Sequence, residues 1–267
     1  MTISATLTES IGSAPMIATP PIKPPVKPPT TQSAVVKTLE STFNTLTERE
    51  ILIKLYEKTD GKNWGHALNW CSDEPLSQWE NVYTNELGQV IGLGLEYNNL
   101  SGSIPVELGN LKNLQNLYLN HNQLSGSIPA ELGNLKNLRV LCFNYNQLSG
   151  SIPAELGNLK NLRSLRITNN KLSGSIPPEL GQLEKLDWIS AYKNKLSGSI
   201  PPELGQLEKL ETLYLDYNEL SGELPKELGE LKNLRILYIQ HNDLSGKLPD
   251  FVKNIQAICI GCNNFTN

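Results

Sequence analysis

One phrase, repeated at a fixed interval, constrains this chain more than anything else in it. The run Leu114-Gln-Asn-Leu117-Tyr118-Leu119-Asn-His121-Asn122-Gln-Leu124-Ser125-Gly126-Ser-Ile128-Pro129-Ala-Glu-Leu132-Gly133-Asn-Leu135 is a clean copy. It restarts at Val90, Leu138, Leu162, Leu186, Leu210 and Leu234, a period of 24, and a shortened copy opens at Ile255. A constant period of this size implies a solenoid, because one copy cannot bury its own leucines and stacking buries them against the copies on either side. Leu117 and Leu119 alternate with polar neighbours, the pattern of a strand with one face inward.

Every copy carries asparagine where that strand ends: Asn98, Asn122, Asn146, Asn170, Asn194, Asn218, Asn242 and Asn263. A buried turn leaves backbone groups unpaired, and an amide both donates and accepts, so stacked copies should form an asparagine ladder. Ser125-Gly126 reads as the next turn, with glycine free to take positive φ. Pro129 suits the first position of a short helical segment.

The consensus LxxLxLxxNxLSGxIPxxLGxL resembles the plant-type leucine-rich repeat, as in receptor-kinase ectodomains and polygalacturonase inhibitors, and covers about two thirds of the chain. Similar repeats occur in bacterial and algal proteins. The resemblance implies an α/β solenoid: a curved right-handed superhelix with a parallel β-sheet on its concave face and short helical or 3-10 segments on its convex face. It also implies recognition of partners rather than catalysis.

The divisions expected are a proline-rich tail over 1–33, a helical and tryptophan-rich cap over 34–88, and repeats over 89–267. The tail contains Pro20-Pro21-Ile-Lys-Pro24-Pro25-Val-Lys-Pro28-Pro29, read as a polyproline II spacer in preference to a groove-binding PxxP ligand. Val35, Val36, Leu39, Phe43 and Leu46 suggest a helix. Thr47 to Glu50 reads as a capping box for a second helix carrying Ile51, Leu52, Leu55 and Tyr56 and ended by Gly61. Trp64, Trp70 and Trp79 are read as the lid on the first copy's apolar end. Trp79-Glu80-Asn81-Val82 is similar to the Trp-x-Gly-Val element of the family's cap. The cysteine pair that flanks this element in secreted members is replaced by Leu76, Ser77 and Thr84, and Cys71 has no evident partner. Without that pair and without an apolar leader, the expectation is a cytoplasmic protein. The net charge of −4 shows no basic stripe, which argues against nucleic acid.

The outward positions of the strand vary from copy to copy, so there the chain is free to specialise. One column is Gly94, Tyr118, Cys142, Arg166, Ser190, Tyr214, Tyr238 and Cys259. A second is Glu96, Asn120, Asn144, Thr168, Tyr192, Asp216, Gln240 and Gly261. A third is Tyr97, His121, Tyr145, Asn169, Lys193, Tyr217, His241 and Cys262; Trp188 precedes a strand isoleucine in the fifth copy. Seven of the nine tyrosines lie in these columns. Tyrosine and tryptophan offer rigid area with a polar tip and are enriched at binding hot spots. Trp188, Tyr192, Tyr214, Tyr217 and Tyr238 should form one aromatic patch, and the candidate contact set adds Tyr118, Tyr145, Arg166, Asp216 and His241.

Motifs of catalysis are not evident. Gly92-x-Gly94 lacks a third glycine and sits in a strand. His121 and His241 share a column five copies apart, about 24 Å at the strand spacing, too far to share a metal. Cys259-x-x-Cys262 is read as ordinary thiols, with a disulfide that locks the last copy as the alternative. The expectation is a monomeric, non-enzymatic recognition module for a protein or peptide, with neither cofactor nor metal. A glycan-related role and structural self-assembly are the alternatives.

Overall fold

The computed structural model describes residues 46–266. The proline-rich tail and the first expected helix lie outside them apart from Leu46, which packs on the core. Helix α1 spans Glu48–Lys58. Its capping box is formed: Thr47 accepts from the Glu50 amide and Glu50 accepts from the Thr47 amide. Ile51, Leu52 and Leu55 are buried on its inner face. The helix stops at Thr59, before Gly61, which opens a short 3-10 turn. Glycine is needed at position 61 because a Cβ there would lie 2.2 Å from the Tyr56 ring.

The three tryptophans close the first copy. Trp64 and Trp70 meet edge-on at 4.8 Å, and Trp70 and Trp79 lie 5.2 Å apart. Trp79 is 1% exposed. The Arg49 guanidinium lies 5.1 Å from its ring and donates to the Ser72 and Glu74 carbonyls. Aromatic packing here does what a disulfide could do elsewhere.

The strand Val82–Thr84 pairs antiparallel with Val90–Gly94, and from there every partner is parallel. The long sheet has nine strands among the described residues. Its register advances by 24 residues: Leu117 pairs with Leu141, Leu141 with Leu165, Leu165 with Ile189 and Ile189 with Leu213. Ile258 and Ile260 of the last copy are only partly buried, while Leu117 and Leu119, like their equivalents as far as Leu237 and Ile239, are buried. Each such side chain contributes about 1.5–3 kcal/mol by leaving water.

Two local expectations need correction. Ser125-Gly126 is not only a turn: Gln123–Gly126 is a strand, and its equivalents build a second parallel sheet of eight strands. Gly126 does take positive φ, at 77°. Pro129 stands one residue before the 3-10 segment Ala130–Asn134, in extended conformation, rather than at its first position. The 3-10 segments stack so closely that a Cβ on Gly133 would lie 2.3 Å from the Glu155 carbonyl oxygen of the next copy.

The asparagine ladder is formed, and each rung joins two copies. Asn146 Oδ1 accepts from the Leu124 amide at 2.9 Å, while its Nδ2 donates to the Leu119 carbonyl at 2.9 Å and the Phe143 carbonyl at 3.1 Å. Asn122, Asn170, Asn194, Asn218, Asn242 and Asn263 repeat the arrangement. Asn98 differs. Its Oδ1 accepts from the His66 amide and its Nδ2 donates to the His66 carbonyl, so the first rung ties the repeats to the cap.

Candidate binding face

The strand register places the first variable column in one line, with Tyr118 beside Cys142, Cys142 beside Arg166, Ser190 beside Tyr214 and Tyr214 beside Tyr238. Parallel strands about 4.8 Å apart bring rings on neighbouring rungs into contact. Tyr214 and Tyr238 meet edge-on at 5.0 Å. Trp188 meets Tyr214 at 5.7 Å, and Tyr192 meets Tyr214 at 6.3 Å. Arg166 lies 5.0 Å from the Trp188 ring and donates to Ser164 Oγ at 3.0 Å. Tyr145 reaches the cluster through its hydroxyl, 3.3 Å from that of Tyr192. Trp188, Tyr192, Tyr214 and Tyr238 therefore form one half-buried aromatic surface, edged by Arg166 and Tyr145.

Tyr217 is not part of that ring cluster. It stacks on His241 at 4.2 Å in the third column, with Lys193 Nζ 5.8 Å from its ring. The same column carries a second stack, Tyr97–His121–Tyr145, at 4.1 and 4.3 Å. Every residue of this column, from Tyr97 to Cys262, has φ of 54–57°. That left-handed conformation is costly for bulky residues, and only Asn169 is a residue that adopts it readily. Stacking helps hold Tyr97, His121, Tyr145, Tyr217 and His241 there. Tyr118 makes no ring contact with the patch among the described residues; its neighbour in the register is Cys142, which is buried, with a thiol pushed up to about 11 by desolvation.

The first copy presents little of this face. Tyr83, on the antiparallel strand, covers it: a Cβ on Gly92 or Gly94 would come within 3.3 Å of the Tyr83 side chain.

Asp216 is 6% exposed. Burial pushes its carboxyl up to about 6, with its own backbone amide and then Lys193 pulling the other way. Its charge in turn raises the Tyr192 and Tyr214 hydroxyls, whose own burial is the larger cause. Among the described residues, Oδ1 of Asp216, Oε1 of Gln240, Oδ1 of Asn120 and Oε2 of Glu96 are enclosed and accept no hydrogen bond, and the enclosed Nε1 of Trp188 donates none. All four oxygens belong to the second variable column. Its membership was readable from the repeat, but the burial of its polar tips was not, since that depends on packing between copies.

Cys259 and Cys262 are free and exposed at the last copy. Elsewhere, an open groove of about 940 Å³ is lined by repeated Ser, Gly, Ile and Pro residues between the second sheet and the 3-10 segments.

A model of the leucine-rich repeat region matches residues 70–196, and the leucine-rich repeat model matches residues 209–231 and 233–255. The chain belongs to the leucine-rich repeat family. Its repeat is the plant type. No curated protein matches the chain. Among solved structures, this leucine-rich repeat chain is similar to the ectodomain of the Arabidopsis thaliana membrane receptor kinase GASSHO1/SCHENGEN3, in complex with CASPARIAN STRIP INTEGRITY FACTOR 2. Identity there is 34% over 82% of this chain and 27% of that one, with a TM-score of 0.75. It is similar to the ectodomain of the Arabidopsis receptor kinase HAESA in complex with an IDA peptide hormone ligand, at 30% identity over 82% of this chain and 37% of that one, TM-score 0.73. The PEPR1–AtPEP1 structure shares 30% identity over 82% of this chain and 32% of that one, TM-score 0.74. The chain thus spans between a quarter and two fifths of the length of these ectodomains.

These similarities overturn the expectation of a cytoplasmic protein, since the matching chains are ectodomains of plant membrane receptors. The inference rests on the missing cysteine pair together with the missing apolar leader. In this fold the cap is closed by Trp64, Trp70, Trp79 and Arg49, so the lack of a disulfide carries no information about compartment. Among the described residues no helix is long and apolar enough to cross a membrane.

Proposed function

We propose that this chain is a non-enzymatic recognition module, working outside the cell, that binds a peptide or an extended protein segment across the fifth to seventh copies of the long sheet. The observation that carries the reading is the surface of Trp188, Tyr192, Tyr214 and Tyr238, in which the other three rings all meet Tyr214, at positions the repeat leaves free. Rings that brace one another lose little freedom on binding and present a large amphipathic area. Arg166 adds a positive charge at its border, which would orient a polar backbone. The similarity to ectodomains determined with peptide ligands supports the same reading.

The test is capture of partners from the extracellular fraction of the source organism by the wild type beside Trp188→Ala and Tyr214→Ala, followed by calorimetry on the captured ligand. Truncation of either ring should weaken binding by about 2 kcal/mol or more, with the fold intact by circular dichroism. A ligand whose affinity ignores both changes would place the site elsewhere and defeat the proposal.

A further inference from the structure

Resting on that reading, we infer that Asp216 and Gln240 form a subsite for a cationic side chain of the bound peptide, an arginine or lysine head group received beside the Tyr192, Tyr214 and Tyr238 rings. The inference starts from the unpaired oxygens. Buried acceptors nearly always find a donor, and one left without is destabilising. Here four such oxygens fall in a single column, as the pairs Glu96/Asn120 and Asp216/Gln240. The middle of the same column is satisfied internally. Asn144 Oδ1 accepts from the Thr168 amide at 2.8 Å, and the Thr168 and Ser190 hydroxyls are 2.7 Å apart. The deficit is therefore local and not a property of the repeat.

Tyr192, Asp216 and Gln240 occupy consecutive rungs: the Lys193 amide donates to the Asp216 carbonyl and the Tyr217 amide to the Gln240 carbonyl, both at 3.0 Å. Two side-chain acceptors about one strand spacing apart require an occupant that donates more than once. Three tyrosine rings, whose faces carry partial negative charge, favour a donor that is also a cation. The resident cation does not serve. Lys193 is exposed, its Nζ lies over the Tyr217 ring, and among the described residues Asp216 forms no salt bridge. A guanidinium, with five N–H groups in a rigid fork, fits two neighbouring acceptors best. Trp188 Nε1 is the converse case, a buried donor without an acceptor, and would receive a peptide carbonyl.

A displayed library of random peptides, panned on the wild type, on Asp216→Asn and on Trp188→Ala, tests this. Peptides enriched on the wild type should share an arginine or lysine at one fixed position. A synthetic copy of one should bind Asp216→Asn at least 10-fold more weakly and Asp216→Glu with little loss. Replacing its basic residue by glutamine should cost affinity on the wild type but nothing further on Asp216→Asn, since the two changes remove the same pair. Enriched peptides that depend on Trp188, lack a fixed basic residue and ignore Asp216→Asn would overturn the subsite and leave the recognition reading standing. No enrichment, or binding indifferent to Trp188→Ala, would defeat both. Quenching of tryptophan fluorescence by cellohexaose in the wild type but not in Asp216→Asn would assign the acceptors to sugar hydroxyls and overturn the cation.

Discussion

The ladder predicts a specific cost for Asn146→Ala. The amide of Asn146 makes three bonds shorter than 3.2 Å across two copies, but their loss would not be equal. The Leu119 carbonyl keeps a second donor in Asn122 Nδ2, at 3.1 Å, and the Phe143 carbonyl keeps Asn170 Nδ2, at 3.0 Å. The Leu124 amide keeps nothing. It sits on a fully buried residue and Asn146 Oδ1 is its acceptor. Stranding one buried N–H costs about 1–3 kcal/mol, and weakening two shared carbonyls adds about 1 kcal/mol, so the expected loss is about 2–4 kcal/mol. Asn137→Ala is the control: its Nδ2 also donates to a backbone carbonyl, that of Lys112 at 2.9 Å, but in an exposed setting where water replaces it, and about 0.5 kcal/mol or less is expected. Asn146→Asp should do no better than alanine at neutral pH, because a carboxylate keeps the acceptor but faces two carbonyls without a proton to offer. Urea denaturation with an unchanged m-value gives the stabilities, and amide exchange at Leu124 reports the stranded group. If Asn146→Ala and Asn137→Ala lose the same amount, or Asn146→Ala loses less than about 1 kcal/mol, the ladder does not hold the copies as argued.

Gly133→Ala should destabilise the fold by about 2 kcal/mol or more, since the new Cβ would meet backbone of the next copy at 2.3 Å; Gly126→Ala, where φ is 77° but space is open, should cost only about 1 kcal/mol. For Asp216 the folded carboxyl lies at about 6, above its unfolded value near 3.9, so the folded state binds the proton more tightly and stability falls as pH rises from about 4 to about 6. Asp216→Asn should remove about 1–3 kcal/mol of that dependence; a difference between wild-type and variant stability that is flat from pH 4 to pH 7 would contradict it. In the native protein Cys71, Cys259 and Cys262 should react with a thiol reagent while Cys142, buried and with its thiol at about 11, reacts only on unfolding; native reaction of all four would show that the sheet opens readily.

Much of this protein could be read from the order of its residues, because a solenoid writes its tertiary contacts into a local repeat. Leu117 and Leu119 are inward wherever they recur, Asn122 and its equivalents meet the same backbone groups in each copy, and three tryptophans just before the first copy have little to cover except its open end. The Tyr214–Tyr238 contact also followed from the period, since residues 24 apart must stand on adjacent strands, whereas Trp188 reaches Tyr214 on a diagonal, two residues past its register partner Thr212. Other features come only from contacts between copies. Gln123–Gly126 has no alternating apolar pattern and ends in two poor strand formers, so its strand exists because the like segments of the copies on either side pair with it in parallel. Nothing about Tyr217 or Lys193 as residue types announces a φ of 54°; the ladder geometry imposes it and ring stacking sustains it. Tyr83 lies outside the repeat, and its place over Gly92 and Gly94 depends on an antiparallel hairpin that the period does not encode. Asp216 belongs to an outward column in the alignment of copies and is a buried carboxylate in space, and Asn120 and Thr168 of the same column are buried too. The repeat thus determined which face is free to vary, and the packing of side chains across strands decided where on that face a partner's charge would be wanted.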